Sequence, residues 1–179
     1  MYRLPQVTLV LGGAASGKSA WAERLAEQVH PVRVYLATAD ARDAEMQARV
    51  QAHRNRRGPG WRTIEAGHDL ETALAGVVPG RVVLIDCATM WLNALFENDE
   101  EIEPALEAFG EAIAACAAPV IVVSNELGQG VVPDNRLARR FRQAHGEMNQ
   151  ALAARAGLVV MVVAGLPLAL KGDLPEDET

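Results

Sequence analysis

The chain has 179 residues, 50% of them hydrophobic, and a formal net charge of −6. That length predicts one domain over residues 1–171 and an acidic, disordered tail over 172–179, with enough chain to bury about 70% of its unfolded surface. The acidic balance disfavours nonspecific binding to nucleic acid or to an anionic membrane, and no apolar run reaches the roughly 18 residues of a membrane span. Met1 to Pro5 is too short for a signal peptide. The two cysteines, Cys87 and Cys116, read as reduced thiols of a cytoplasmic protein rather than as a disulfide or metal pair.

The first apolar run, Val7–Leu11, predicts a strand, and Lys18–Val29 predicts a helix. Between them Gly12-Gly13-Ala14-Ala15-Ser16-Gly17-Lys18-Ser19 is a complete G-x-x-x-x-G-K-[ST] phosphate-binding loop in the strand–loop–helix setting that the motif requires. Glycines let backbone N–H groups turn toward phosphate oxygens, and the helix start adds its positive dipole end. Lys18 is expected to reach the β- and γ-phosphates of a nucleoside triphosphate, and Ser19 to ligate Mg²⁺. The competing reading is a glycine-rich turn with no ligand.

A second strand is predicted over Val34–Ala37 and a helix over Asp43–His53. In that helix Met46, Val50 and His53 share one face, acids stand at its start, and Arg49, Arg54, Arg56 and Arg57 cluster at its end. One account is an amphipathic helix with charges that suit its dipole. The other is a histidine kept neutral, hence nucleophilic, by neighbouring guanidinium groups that also stabilise phosphate charge. His30, His68 and His145 read as ordinary surface or capping residues, and no histidine pair has zinc-site spacing.

Trp61–Glu65 reads as a short additional strand, Asp69–Gly76 as a helix and Arg81–Asp86 as a buried strand. An apolar strand ending in Asp86 is the Walker B pattern, whose carboxylate holds Mg²⁺; alone it is weak, and beside a phosphate loop it gains weight. Thr89–Phe96 and Pro104–Cys116 are predicted helices, separated by the acidic loop Glu97–Glu101. Strand Val120–Ser124 leads to Asn125-Glu126-Leu127-Gly128-Gln129-Gly130. There a carboxylate could orient a nucleophile or a metal-bound water, or Asn125 and Glu126 could simply order a glycine-rich loop. The absence of Asn-Lys-x-Asp there argues against a guanine-reading switch protein. Helix Arg136–Ala156, with Arg136, Arg139, Arg140 and Arg142, and strand Leu158–Val163 complete the pattern. Alternating strands and helices predict an α/β sandwich, a P-loop NTPase three-layer arrangement around a mainly parallel sheet. Ligands are then expected beyond the carboxyl ends of the strands.

Taken in order, the phosphate loop Gly12–Ser19, Tyr35-Leu36-Ala37-Thr38-Ala39, Glu45-Met46 through Arg49, His53-Arg54 and Trp61–Glu65 resemble a known enzyme family. So do Leu84-Ile85-Asp86-Cys87, Val123–Gly128 with Gly130-Val131-Val132-Pro133, and Asn135–Arg139. The family is the bifunctional adenosylcobinamide kinase / adenosylcobinamide-phosphate guanylyltransferase of cobalamin assembly, and the likeness runs from about residue 7 to about residue 171. The phosphate loop is shared by many families; the His53 and Ser-Asn-Glu-Leu-Gly segments are more specific. The resemblance implies two reactions. ATP or GTP phosphorylates the aminopropanol hydroxyl of adenosylcobinamide. GTP then guanylylates a histidine, here His53, and the GMP passes to the substrate phosphate to give adenosyl-GDP-cobinamide. Some members carry two adjacent histidines; here Ala52 occupies the first place. By position, the nucleotide contacts implied are Gly12, Gly13, Ala14, Ala15, Ser16, Gly17, Lys18, Ser19, Thr38, Ala39, Asp40, Arg54, Asn55, Arg56, Arg57, Glu65 and Asp86. The resemblance also implies a homotrimer and a sheet ordered like those of RecA-type ATPases. The rival functions are a single-activity P-loop small-molecule kinase and a nucleotide-dependent regulatory protein.

Overall fold

The computed structural model describes residues 3–38 and 57–176. Seven strands make one sheet: β1 Val7–Gly12, β2 Arg33–Ala37, β3 Trp61–Glu65, β4 Val82–Asp86, β5 Val120–Asn125, β6 Leu158–Val163 and β7 Leu166–Lys171. Their order is β3-β2-β4-β5-β1-β6-β7. All neighbouring pairs are parallel except β6 and β7, which are antiparallel. The described helices are α1 Lys18–Val29, α2 Leu70–Ala75, α3 Ala88–Glu97, α4 Ile102–Ala115 and α5 Arg136–Arg155. The expected α/β sandwich with a mainly parallel sheet is therefore what the chain forms, and the short additional strand at Trp61–Glu65 is present. The expected helix over Asp43–His53 lies outside the described residues.

The central strands are apolar throughout because both faces of the sheet are covered. Alternate residues point to opposite faces. Leu9, Leu11, Leu36, Val83, Ile85 and Val122 join a core with Leu92, Phe109, Ile113, Met148 and Leu152 of α3, α4 and α5. Val10, Tyr35, Leu84, Ile121, Val123 and Val160 form a second core against Trp21, Ala22 and Leu25 of α1. Each fully buried leucine or isoleucine adds about 1.5–3 kcal/mol of transfer free energy, so the sheet is held rigidly between two apolar layers.

One strand of the chain was not anticipated. The apolar run Gly157–Leu170 turns back at Ala164 and Gly165, both at positive φ (52° and 80°), and β7 returns alongside β6. The hairpin grips the phosphate loop: the Gly165 N–H donates to the Ser16 carbonyl at 2.8 Å. Leu166, Leu168 and Leu170 project from the same face of this edge strand and are exposed. Residues 172–176 form no helix or strand, though Leu174 packs against the α1-side core.

Candidate nucleotide site

The strand order decides what meets at the carboxyl edge of the sheet. β5 lies between β1, which carries the phosphate loop, and β4, which ends in Asp86. This is the RecA-type order that the resemblance implied. Across the edge, Glu65 is in register with Ala37, Ala37 with Asp86, and Gly12 with Asn125. The phosphate loop, Thr38, Glu65, Asp86 and the Asn125–Glu126 segment thus line one rim, drawn from five strands.

The loop's conformation explains its residues. Gly17 sits at φ 91°, and a Cβ there would lie 3.1 Å from the Gly165 Cα; a Cβ on Gly12 would collide with the Ser16 hydroxyl and come within 2.7 Å of the Val162 carbonyl. Ala15 is also left-handed, at φ 55°, a strained setting for a residue with a side chain. Gly13, Ala14 and Ala15 are exposed, while Lys18 is buried to 8% exposure, its ammonium donating to the Gly13 carbonyl at 3.1 Å. α1 begins at Gly17 with no side-chain cap, so its first-turn N–H groups face the loop unspent by a capping side chain.

At the other side of β5, the Tyr35 hydroxyl donates to Asp86 Oδ2 at 3.3 Å. The Arg57 guanidinium lies 3.5 Å above the centre of the Tyr35 ring. Arg57, the one member of its arginine run in the described residues, is thereby tied through Tyr35 to the strand-end acid. Burial, reinforced by the Asp86 charge, raises the Tyr35 hydroxyl's pKa above its ordinary value, so it remains a donor to the carboxylate. Thr38 reaches the rim, but its hydroxyl is committed: it donates to the Cys87 carbonyl at 2.8 Å and accepts the Cys87 N–H at 2.9 Å. Cys87 follows Asp86, and burial with that neighbouring charge pushes its thiol up to about 11. Neither cysteine is in a disulfide. Ala39, Asp40, His53, Arg54, Asn55 and Arg56, all expected at the site, lie outside the described residues.

His145 departs from the expectation of a surface or capping residue. It is 1% exposed, and Nε2 lies 3.0 Å from Thr89 Oγ1 and 3.4 Å from Ser124 Oγ. Its ring stacks, tilted, on Phe141. The signal was available in the spacing: Ala144, His145, Met148, Asn149 and Leu152 form the buried stripe of α5. Two of the stripe's members are polar because the strand end beneath them presents polar groups.

Burial lowers the His145 pKa from its ordinary value, against an opposing pull from the Glu126 carboxylate. The unfolded chain therefore binds this proton more readily than the native state, and stability is lost as pH falls through about 6.5, levelling off below the folded-state pKa. Thermal midpoints measured between about pH 8 and pH 5.5 should decline in the wild type and decline less in His145→Gln. Equal slopes in the two proteins would remove His145 as the source.

A parallel sheet with a phosphate loop, an uncapped helix start and an acid two strands away defines a P-loop nucleotide-binding protein. Solved structures with this fold include the flagellar accessory protein FlaH of Methanocaldococcus jannaschii, at 13% identity and a TM-score of 0.51 over 93% of this chain and 78% of that one. A protein of Pyrococcus horikoshii OT3 matches over 98% of this chain and 90% of its own, at 10% identity and a TM-score of 0.54. An ATPase of a type III secretion system matches over 93% of this chain and 57% of its own, at 11% identity and a TM-score of 0.51. Within that class the chain belongs to the cobinamide kinase / cobinamide phosphate guanyltransferase family, which it matches over residues 8–170. It is 43% identical to the bifunctional adenosylcobalamin biosynthesis protein CobP of Pseudomonas aeruginosa, over 92% of this chain and 97% of that protein. It is 41% identical to the corresponding CobU protein of Salmonella typhimurium, over 91% and 98%. No described helix is long and apolar enough to cross a membrane.

Proposed function

We propose that this protein phosphorylates adenosylcobinamide with ATP or GTP and then transfers GMP from GTP, through guanylylated His53, to give adenosyl-GDP-cobinamide. The observation that carries the reading is the rim itself: an intact phosphate loop and Asp86 at one sheet edge, in a chain of this family. In the first reaction the loop's N–H groups and Lys18 bind and orient the β- and γ-phosphates, and the acceptor hydroxyl oxygen attacks the γ-phosphorus as the bridging P–O bond breaks. In the second, a neutral His53 nitrogen attacks the α-phosphorus and pyrophosphate leaves. The phosphate oxygen of the corrinoid then displaces the histidine, breaking the P–N bond and restoring the imidazole. Splitting nucleotidyl transfer in this way lets one enzyme group replace pyrophosphate before the acceptor arrives. The arginines Arg54, Arg56 and Arg57 suit the charge that develops on the phosphates.

The donors at the rim fit Mg²⁺. The Ser19 hydroxyl in the first turn of α1 and the Asp86 carboxylate are hard oxygen ligands, and this ion keeps several waters and takes further oxygens from nucleotide phosphates. Ser19 and Asp86 would hold it, and it would neutralise charge on the departing phosphate groups. Both reactions should stop with EDTA and resume with Mg²⁺ or Mn²⁺. Asp86→Asn should shift the metal titration to higher concentration for both; an unchanged titration would reduce Asp86 to a strand-end acid bonded to Tyr35.

The homotrimer and the cytoplasmic setting belong to the same reading. They are supported by the resemblance, and the trimer also by the exposed row Leu166, Leu168 and Leu170 on an edge strand, a surface that proteins ordinarily cover. The reading as a whole is tested by mass spectrometry of the corrinoid. Adenosylcobinamide with ATP or GTP should gain one phosphate, and with excess GTP should proceed to the GDP derivative with release of pyrophosphate. A corrinoid that remains unmodified, with nucleotide bound, would favour the regulatory alternative.

A further inference from the structure

The end of β5 is held by a buried polar network that the reactions above do not use. The Asn125 N–H donates to Thr89 Oγ1 at 2.9 Å, and the Asn125 carbonyl accepts from Asn149 Nδ2 at 3.0 Å. Both faces of that residue's backbone are therefore fixed by side chains, one from α3 and one from α5. The two holders are themselves held. Asn149 Oδ1 accepts from the Ser124 hydroxyl at 2.7 Å, and Thr89 Oγ1 lies 3.0 Å from His145 Nε2. Thr89, Ser124, His145 and Asn149 are all buried, at 7%, 0%, 1% and 8% exposure. Burying four polar side chains costs free energy unless each is bonded, so a network this complete specifies a single geometry for what it grips.

What it grips is placed at the centre of the rim. Asn125 is in register with Gly12, the first residue of the phosphate loop, and the next residue's N–H, on Glu126, donates to the Gly12 carbonyl at 3.0 Å. On its other side β5 pairs with β4, whose last residue is Asp86. The Glu126 carboxylate turns back to accept from the Gly128 N–H at 2.6 Å, which orders the following loop. The Asn125 carboxamide, by contrast, makes no hydrogen bond among the described residues, although its own main chain makes two to side chains. By strand order this half-buried residue stands between the phosphate loop and the strand that ends in Asp86, and its amide donors are unspent among the described residues.

We propose that Thr89, Ser124, His145 and Asn149 form a clamp on the Asn125 peptide, and that the Asn125 carboxamide so positioned donates to the γ-phosphate of the bound nucleoside triphosphate. Asn125 is the contact; the four clamp residues act through it. The proposal rests on the nucleotide-binding reading of the rim, but needs no corrinoid.

The test is the affinity of the purified protein, with Mg²⁺, for a non-hydrolysable GTP analogue relative to GDP, measured by calorimetry. Asn125→Ala should lower that preference about tenfold, the worth of one hydrogen bond to a charged group, by weakening the analogue and sparing GDP. Asn149→Leu, which cannot donate to the Asn125 carbonyl, should lower it comparably. In the double variant the preference should fall no further, because both substitutions remove the same contact. Where Asn149→Leu fails to fold, Ser124→Ala takes its place in the cycle. A clamp that only stabilises the fold would lower the thermal midpoint and leave the analogue-to-GDP ratio unchanged, and that result overturns the proposal. So does additivity of the two substitutions, or an unaltered ratio in Asn125→Ala. A wild-type protein that binds neither nucleotide would instead refute the reading of the rim as a nucleotide site.

Discussion

His53→Asn, incubated with GTP and Mg²⁺, should keep its mass, while the wild type gains the mass of one GMP. The expectation comes from His53 standing in sequence beside Arg54, Arg56 and Arg57, and from the position of the histidine in the family that the chain resembles. Guanidinium groups so placed would disfavour the imidazolium and keep the nucleophile neutral. The adduct is a phosphoramidate. It should survive base and break in mild acid, because protonation at nitrogen turns the imidazole into a good leaving group. Guanylyl transfer to the corrinoid phosphate should be lost with the adduct. Phosphorylation of adenosylcobinamide should persist in the variant, since that step depends on positioning and on the phosphate loop. An adduct that remains in His53→Asn, or that maps to His30, His68 or a lysine, would refute the assignment. His145 is a poor rival nucleophile: it is buried, and its Nε2 lies against two hydroxyls.

Lys18→Ala should reduce phosphoryl transfer to adenosylcobinamide by about a thousandfold or more, the scale on which removal of a preorganised charge at a reacting phosphate is felt. The structure sharpens this expectation. The Lys18 ammonium is held against the Gly13 carbonyl of the loop, at low exposure, at the start of a helix that has no side-chain cap. A charge in so shielded a place acts through a lower effective dielectric than one in open solvent. Lys18→Met, which keeps the apolar stem and removes the ammonium with its charge and its bond to Gly13, separates the polar head from stem packing. Both variants should retain a cooperative thermal transition. Turnover near the wild-type rate in either would remove Lys18 from the phosphate site.

The loop Gly12–Ser19 was legible in the sequence because its chemistry is local. Eight consecutive residues carry the turn, the N–H groups and the cation, and the adjoining strand and helix follow from short-range patterns. Asp86 was legible for the same reason, as an acid ending an apolar strand. His145 and Asn149 were not, although they share a stripe with Ala144, Met148 and Leu152. Their partners Thr89, Ser124 and Asn125 are 21 to 56 residues away for His145 and 24 to 25 for Asn149, and polar residues on a helix read locally as exposed. β7 was missed because its exposed leucines alternate inside one continuous apolar run, so that only the left-handed turn at Ala164 and Gly165 divides it from β6.

The amino-acid order by itself determined the phosphate loop, the number and placement of the central strands and the two-sided burial of the sheet. Each depends on residues near one another in the chain, where spacing alone carries the geometry. Only the tertiary structure decided that β5 enters between β1 and β4, that Tyr35 joins Arg57 to Asp86, and that four buried polar side chains hold Asn125 beside Gly12. Those contacts join segments far apart in the chain, and they exist because apolar burial on both faces of the sheet brings its strand ends to one rim and leaves the polar groups there to satisfy one another.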